Sequence, residues 1–121
     1  MKRGRPASEC LRDILEHGQA AIEFAGELAD PDALASDRRT LWAVIRALEV
    51  IGEAARNVPE EVRRAHPEIP WRGMTGMRDK VIHGYFGIDA KIVWATVRHD
   101  LPAMCSAVGR LLDTLDLDGR R

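Results

Sequence analysis

Apolar residues recur every three or four positions along nearly the whole chain, the period of an amphipathic α-helix rather than the alternation of a strand. Leu11, Ile14, Leu15, Gly18, Ile22, Ala25 and Leu28 form the first stripe, and Ser8 stands where an N-cap belongs. Asp30-Pro31-Asp32 breaks it. A second long helix is expected over residues 37–57, with Leu41, Val44, Ile45, Leu48, Gly52 and Ala55 facing inward. Gly52, Ala54 and Ala55 are small enough to let another helix approach closely. Residues 57–66 read as a short helix with Pro59 in its first turn. Pro67 and Pro70 then punctuate the approach to a helix over residues 71–83.

After a turn at residues 84–87, Asp89 is placed to cap a last helix over residues 90–115. Its stripe is Val93, Val97, Leu101, Met104, Val108, Leu111 and Leu115. Pro102 lies inside that stripe, removes one backbone donor and is expected to kink the helix. The pattern as a whole predicts an all-α, up-down helical bundle of four to five helices. One domain is expected over residues 8–115, preceded by a disordered basic leader at residues 1–7 and followed by a tail at residues 116–121.

Composition narrows the possible functions. The 121 residues carry a formal net charge of −1, so the whole surface does not attract nucleic acid and any RNA must be held by a local patch. Cys10 and Cys105 lack metal-ligand spacing, and His17, His66 and His99 show no ligand-like grouping with acids or cysteines; no metal or cofactor is expected. The cysteines read as reduced thiols, and the chain has neither a signal-peptide h-region nor the roughly 20 apolar residues of a membrane span. A cytoplasmic protein is the expectation. The leader contains a Gly4-Arg5-Pro6 triplet of the kind that reads DNA minor grooves, but one copy reads better as a solvated basic tail.

The densest chemistry lies in Met77-Arg78-Asp79-Lys80-Val81-Ile82-His83-Gly84-Tyr85. Arg78 is a permanent cation whose planar fork suits phosphate oxygens. His83 can take or give a proton near neutral pH. Together they meet the needs of metal-free RNA cleavage: a base for the 2′-hydroxyl, an acid for the leaving oxygen and a fixed charge for the phosphorane. At about 100° per residue, five helical steps leave the two side chains about 140° apart. Two arrangements resolve this, and they are compatible. Either the helix ends at His83, with Gly84 following it, or two copies of the segment face each other across a two-fold axis.

The run from Arg46 through Gly52-Glu53-Ala54-Ala55, then Pro67-Glu68-Ile69-Pro70-Trp71, then Gly76 through Tyr85, resembles the HepT-like branch of the HEPN superfamily. There the pattern is Arg, four residues, His, one residue, Tyr, which falls here on Arg78, His83 and Tyr85. The resemblance spans about residues 8–113. It implies a HEPN-like, dimeric bundle acting as a metal-independent ribonuclease toxin, with Arg78 and His83 catalytic. It also implies a nucleotidyltransferase antitoxin as partner, which transfers AMP to Tyr85. The position after the arginine is usually polar in the superfamily, often Asn; here Asp79 is placed to orient Arg78 but also to repel a phosphate.

Further residues are assigned supporting parts. Glu53 is expected either near the cleft, orienting Arg78 or His83, or in a helix-surface pair. Arg46 reads as the ion-pair partner of Glu49. Lys80, Arg72 and Lys91 flank the motif as possible RNA phosphate contacts or as an ordinary solvated face. The chain has no Gly-Ser with spaced aspartates, so it is not the nucleotidyltransferase, and it lacks a phosphate-cradling loop. The alternative to a ribonuclease toxin is a non-catalytic helical module that binds and regulates a partner nucleotidyltransferase or a nucleotide.

Overall fold

A computed structural model of the chain describes residues 6–82 and 87–119. Three long rods set the architecture: α1 (Ala7–Ala25), α3 (Arg38–Asn57) and a continuous rod made of α7 (Ala90–Ala95), a π-helical turn (Thr96–Asp100) and α8 (Leu101–Gly119). Shorter helices fill the connections: α2 (Pro31–Ser36), α4 (Glu60–Ala65), α5 (Trp71–Thr75) and α6 (Met77–Val81). Helix α1 runs antiparallel to the last rod, since Arg12 near the start of α1 reaches Asp116 near the end of α8 at 3.0 Å. The fold is all-α, as the hydrophobic period predicts.

The rods meet where the side chains are smallest. A Cβ added to Gly18 of α1 would lie 2.6 Å from Cys105 Sγ and within 4 Å of Met104 and Ile51, so α1, α3 and α8 close on one another there. Gly52 plays the same part between α3 and α5. A Cβ on it would sit 3.2 Å from the Met74 carbonyl oxygen and 3.4 Å from that of Thr75. Leu11, Ile14, Val44, Leu48, Ile51, Val93, Leu101 and Val108 are fully buried between these rods. That area drives the fold, and among the described residues no buried side-chain polar atom lacks a hydrogen-bond partner.

Several boundaries differ from those read off the sequence. Helix α1 begins at Ala7 with Pro6 in the N-cap position, so Ser8 lies in the first turn instead of capping it. The segment after Asp30 is a helix of its own: Asp30 accepts a hydrogen bond from the Ala33 backbone at 2.8 Å, and Pro31 occupies the first turn, where its missing N–H costs nothing. Asp37 then caps α3, accepting from the Thr40 backbone at 3.1 Å and from its hydroxyl at 2.9 Å. Helix α8 continues to Gly119, past Leu115.

The expected single helix over residues 71–83 is two short helices. Gly76, at φ −89° and ψ 5°, separates α5 from α6, consistent with glycine's poor helix propensity. At the other end Ile82 turns extended and forms an antiparallel bridge with Ile88. In the last rod, Pro102 produces a π-turn. The Leu101 N–H bonds back to the Thr96 carbonyl, one residue further than an α-helix would reach. The widened turn contains the Arg98 carbonyl, with which the proline ring would otherwise clash.

The π-turn also tethers α1. Arg98 sends one terminal amino group to the carbonyls of Ala25 (3.0 Å), Gly26 (3.2 Å) and Leu28 (3.0 Å), where α1 ends and exposes its last acceptors. Its guanidinium stacks 4.5 Å from the centre of the Trp94 ring. Helix α1 has no basic residue in its own last turn. Arg98 supplies that charge from 70 or more residues away.

Candidate active site

The close approach at Gly52 sets the register of α5–α6 against α3, and that register brings Arg78 to Glu49. Arg78 Nε donates to Glu49 Oε2 at 3.1 Å. Arg46 approaches the other carboxylate oxygen at 3.8 Å, so Glu49 stands between two guanidiniums. Asp79 lies 3.8 Å from a terminal amino group of Arg78. The Arg78 side chain is 59% exposed while Glu49 is 29% exposed, so the carboxylate is the anchor and the cation is offered to solvent. Both line a cleft of about 360 Å³ with Asp13, Glu53 and Asn57.

Glu53, the residue singled out to support Arg78, lines the same cleft but pairs with Arg56 at 3.4 Å. The carboxylate on Arg78 comes from Glu49, one turn earlier. Sequence reasoning assigns Glu49 to Arg46 alone, because those two are three apart on one helix. The long-range partner follows only from how α6 lies on α3. The signal that could have indicated it is Gly52, whose close contact fixes that register.

His83 and Tyr85 lie outside the described residues, but both flanks of their segment are on view. Val81 is fully buried and its carbonyl accepts from the Asp89 N–H at 3.3 Å. Ile82 bridges to Ile88, and Gly87 adopts φ +89°, a conformation that glycine takes without strain. Ile82 and Ile88, the residues on either side of this segment, are thus held side by side. Helix α6 ends at Val81, with Ile82 already extended, two residues before the position of His83 in the sequence.

The three cations considered as phosphate contacts are not brought together. Lys80 pairs with Asp100 at 3.2 Å and borders a groove between α5–α6 and α8. Lys91 borders a depression beside Pro31 and Asp89. Arg72 borders another with Arg63, Arg64 and Trp71. Among the described residues no three His, Cys, Asp or Glu side chains are grouped to hold a metal ion. Cys105 is buried, and burial pushes its thiol above the ordinary range, which makes it a poor nucleophile. Among those residues too, no helix is long and apolar enough to cross a membrane.

Known proteins resemble this chain over most of its length. Residues 10–111 match the family model described as Ribonuclease HepT-like. A protein of Thermococcus cleftensis described as probable ribonuclease HepT is 49% identical over 86% of this chain and 92% of its own length. A candidate RNase of Methanocaldococcus jannaschii is 46% identical over 76% of this chain and 75% of its own. One from Caldanaerobacter subterraneus subsp. tengcongensis is 38% identical over 93% and 96%. No solved structure gave a significant match. The chain belongs to the HepT-like ribonuclease family.

Proposed function

We propose that this protein is a metal-independent endoribonuclease whose reacting groups are Arg78 and His83, and that it is the toxin of a toxin–antitoxin pair. The observation that carries the reading is membership of a ribonuclease family across residues 10–111, a span that contains the whole Arg78-to-Tyr85 motif. The way Glu49 holds Arg78 supports it, because a guanidinium fixed through Nε still has terminal amino groups to offer a phosphate.

The chemistry is transesterification. A neutral imidazole takes the proton from the 2′-hydroxyl, whose oxygen attacks the adjacent phosphorus. Arg78 neutralises charge on the non-bridging oxygens as the phosphorane forms. The bond to the 5′-oxygen breaks as an imidazolium donates a proton to it, leaving a 2′,3′-cyclic phosphate and a 5′-hydroxyl. Base and acid stand on opposite sides of phosphorus in an in-line displacement. A homodimer that pairs the two motif segments supplies His83 twice and satisfies that need.

Regulation follows from Tyr85. A partner nucleotidyltransferase, the antitoxin, directs the Tyr85 hydroxyl onto the α-phosphate of ATP. Pyrophosphate leaves and AMP stays on the phenol oxygen. The bulky anion competes for the site where the RNA phosphate binds. Asp79 and Glu49 set the electrostatics around Arg78.

Expression in growing cells tests this reading. Wild type is expected to arrest growth, and Arg78→Ala and His83→Ala to relieve the arrest while remaining folded dimers. Retained toxicity in both folded variants contradicts the assignment. Tight binding of the nucleotidyltransferase with no RNA turnover would instead identify a non-catalytic regulatory module.

A further inference from the structure

An arginine-lined depression lies between α4 and α5, and its lining residue Thr75 also approaches Gly52 of α3, the helix that carries Glu49. The seam between α3 and α5–α6 is antiparallel: Arg78 meets Glu49, and Met74 and Thr75 meet Gly52. Arg72 lies six residues before Arg78 in sequence, on the α5 side of the break at Gly76. Arg63 and Arg64 of α4 face Arg72 and Trp71 of α5 across a hollow of about 430 Å³.

The three guanidiniums are held in different ways. Arg63 is half-buried and its Nε donates to the Val58 carbonyl at the end of α3, 3.1 Å away. That bond fixes the stem and leaves the terminal amino groups uncommitted. Arg64 pairs with Glu60 at 2.8 Å. Arg72 is exposed, its guanidinium has no acceptor among the described residues, and its backbone carbonyl takes the Thr75 hydroxyl at 3.0 Å. Trp71 is buried beneath, with its indole N–H donating to the His66 carbonyl at 2.9 Å. Three cations thus meet one carboxylate over an apolar wall, in a chain whose net charge is −1.

We infer that this depression is a subsite for a backbone phosphate of the RNA flanking the one at Arg78. The inference rests on the ribonuclease reading for the identity of the strand, but the anion site stands on the arginines alone. Arg63 and Arg72 supply the donors, Arg64 adds charge while held by Glu60, and Trp71 supplies the wall. Neither Lys80 nor Lys91 belongs to this subsite, since each borders a different hollow. The subsite holds the strand in register without reading its sequence.

The test uses the full chain and a fluorescent 2′-O-methyl oligoribonucleotide, which lacks the attacking hydroxyl and cannot be cut. Anisotropy titrations across a salt series compare wild type with Arg72→Ala, Arg64→Ala and the double variant, each checked for fold by circular dichroism. Arg110→Ala, on the opposite groove, is the control. Arg63 is left intact because it also supports the end of α3. Arg72→Ala is expected to weaken binding about tenfold and to reduce the slope of log K against log salt by about 0.7, the loss of one single-strand phosphate contact. The double variant is expected to lose more, and Arg110→Ala to match wild type.

Unchanged affinity and slope in Arg72→Ala and the double variant overturn the subsite, even if wild type cleaves RNA. Weakened binding in a protein that cuts no RNA upholds the subsite and removes the ribonuclease reading, so the two failures are separable. An acidic peptide that binds in an Arg72-dependent manner where the oligonucleotide does not also overturns it, by showing a protein partner in that place.

Discussion

Arg78 Nε and Glu49 Oε2 lie 3.1 Å apart across 29 residues of sequence, and this pair ties the motif helix to the second rod of the bundle. It has two uses. The ion pair adds little to stability, because the arginine is largely exposed. Its larger consequence is orientation, since a bond to Nε fixes the plane of the guanidinium.

Glu49→Gln is therefore expected to separate activity from stability. RNA cleavage should fall about tenfold, mainly in kcat, for a change of about 1.4 kcal/mol in transition-state stabilisation. The unfolding free energy should move by less than about 1 kcal/mol. Glu53→Gln, on a residue paired with Arg56, should leave kcat within about twofold. Steady-state kinetics and urea unfolding of the two variants check this.

Gly52→Ala tests the contact that sets the register. The new Cβ would lie 3.2 Å from the Met74 carbonyl oxygen, so α5 must retreat by a few tenths of an ångström. A cost of about 1–3 kcal/mol is expected from this overpacking. Because α6 follows α5, cleavage should fall as well. Unfolding curves with unchanged midpoint and full activity would show that the seam is loose.

Arg98→Ala removes a guanidinium from three backbone carbonyls and from the Trp94 face. A loss of about 2 kcal/mol is expected, in the range for hydrogen bonds to charged groups. Arg98→Lys should recover only part of it, since an ammonium has no planar fork to stack or to span several acceptors. Urea midpoints of both variants provide the readout.

The Asp37 cap predicts a pH effect of definite sign. Hydrogen bonds from the Thr40 backbone and hydroxyl hold the Asp37 carboxyl below its ordinary range. Its stabilising effect is complete above the unfolded carboxylate pKa of about 3.9 and is lost as pH falls through the lower folded value. Asp37→Asn keeps an acceptor but cannot titrate. Thermal scans between neutral and strongly acidic pH should show a shallower acid decline for that variant than for wild type.

The long helices were legible because their stripes are long and apolar, and Asp89 was legible as the cap of α7, where it accepts from Lys91 and Ile92 backbone groups. Gly52 was legible as a close-approach residue. The short α2 was obscured by Asp30-Pro31-Asp32, which reads equally as a break and as a cap followed by a first-turn proline. The division at Gly76 and the π-turn before Pro102 leave the apolar period nearly intact, so periodicity alone does not reveal them. The same limit applies at the site. Residue types singled out Arg78 as a candidate, but its partner Glu49 and the dispersal of Lys80, Arg72 and Lys91 follow from tertiary register.

The central claim is metal-free cleavage that depends on His83. The direct measurement incubates RNA with wild type and His83→Ala in EDTA, with both proteins confirmed as folded dimers and the unmodified mass of Tyr85 verified. Cleavage by wild type alone, leaving 2′,3′-cyclic phosphate ends, is the predicted result. An inert, unmodified wild type, or equal cleavage by His83→Ala, would contradict it.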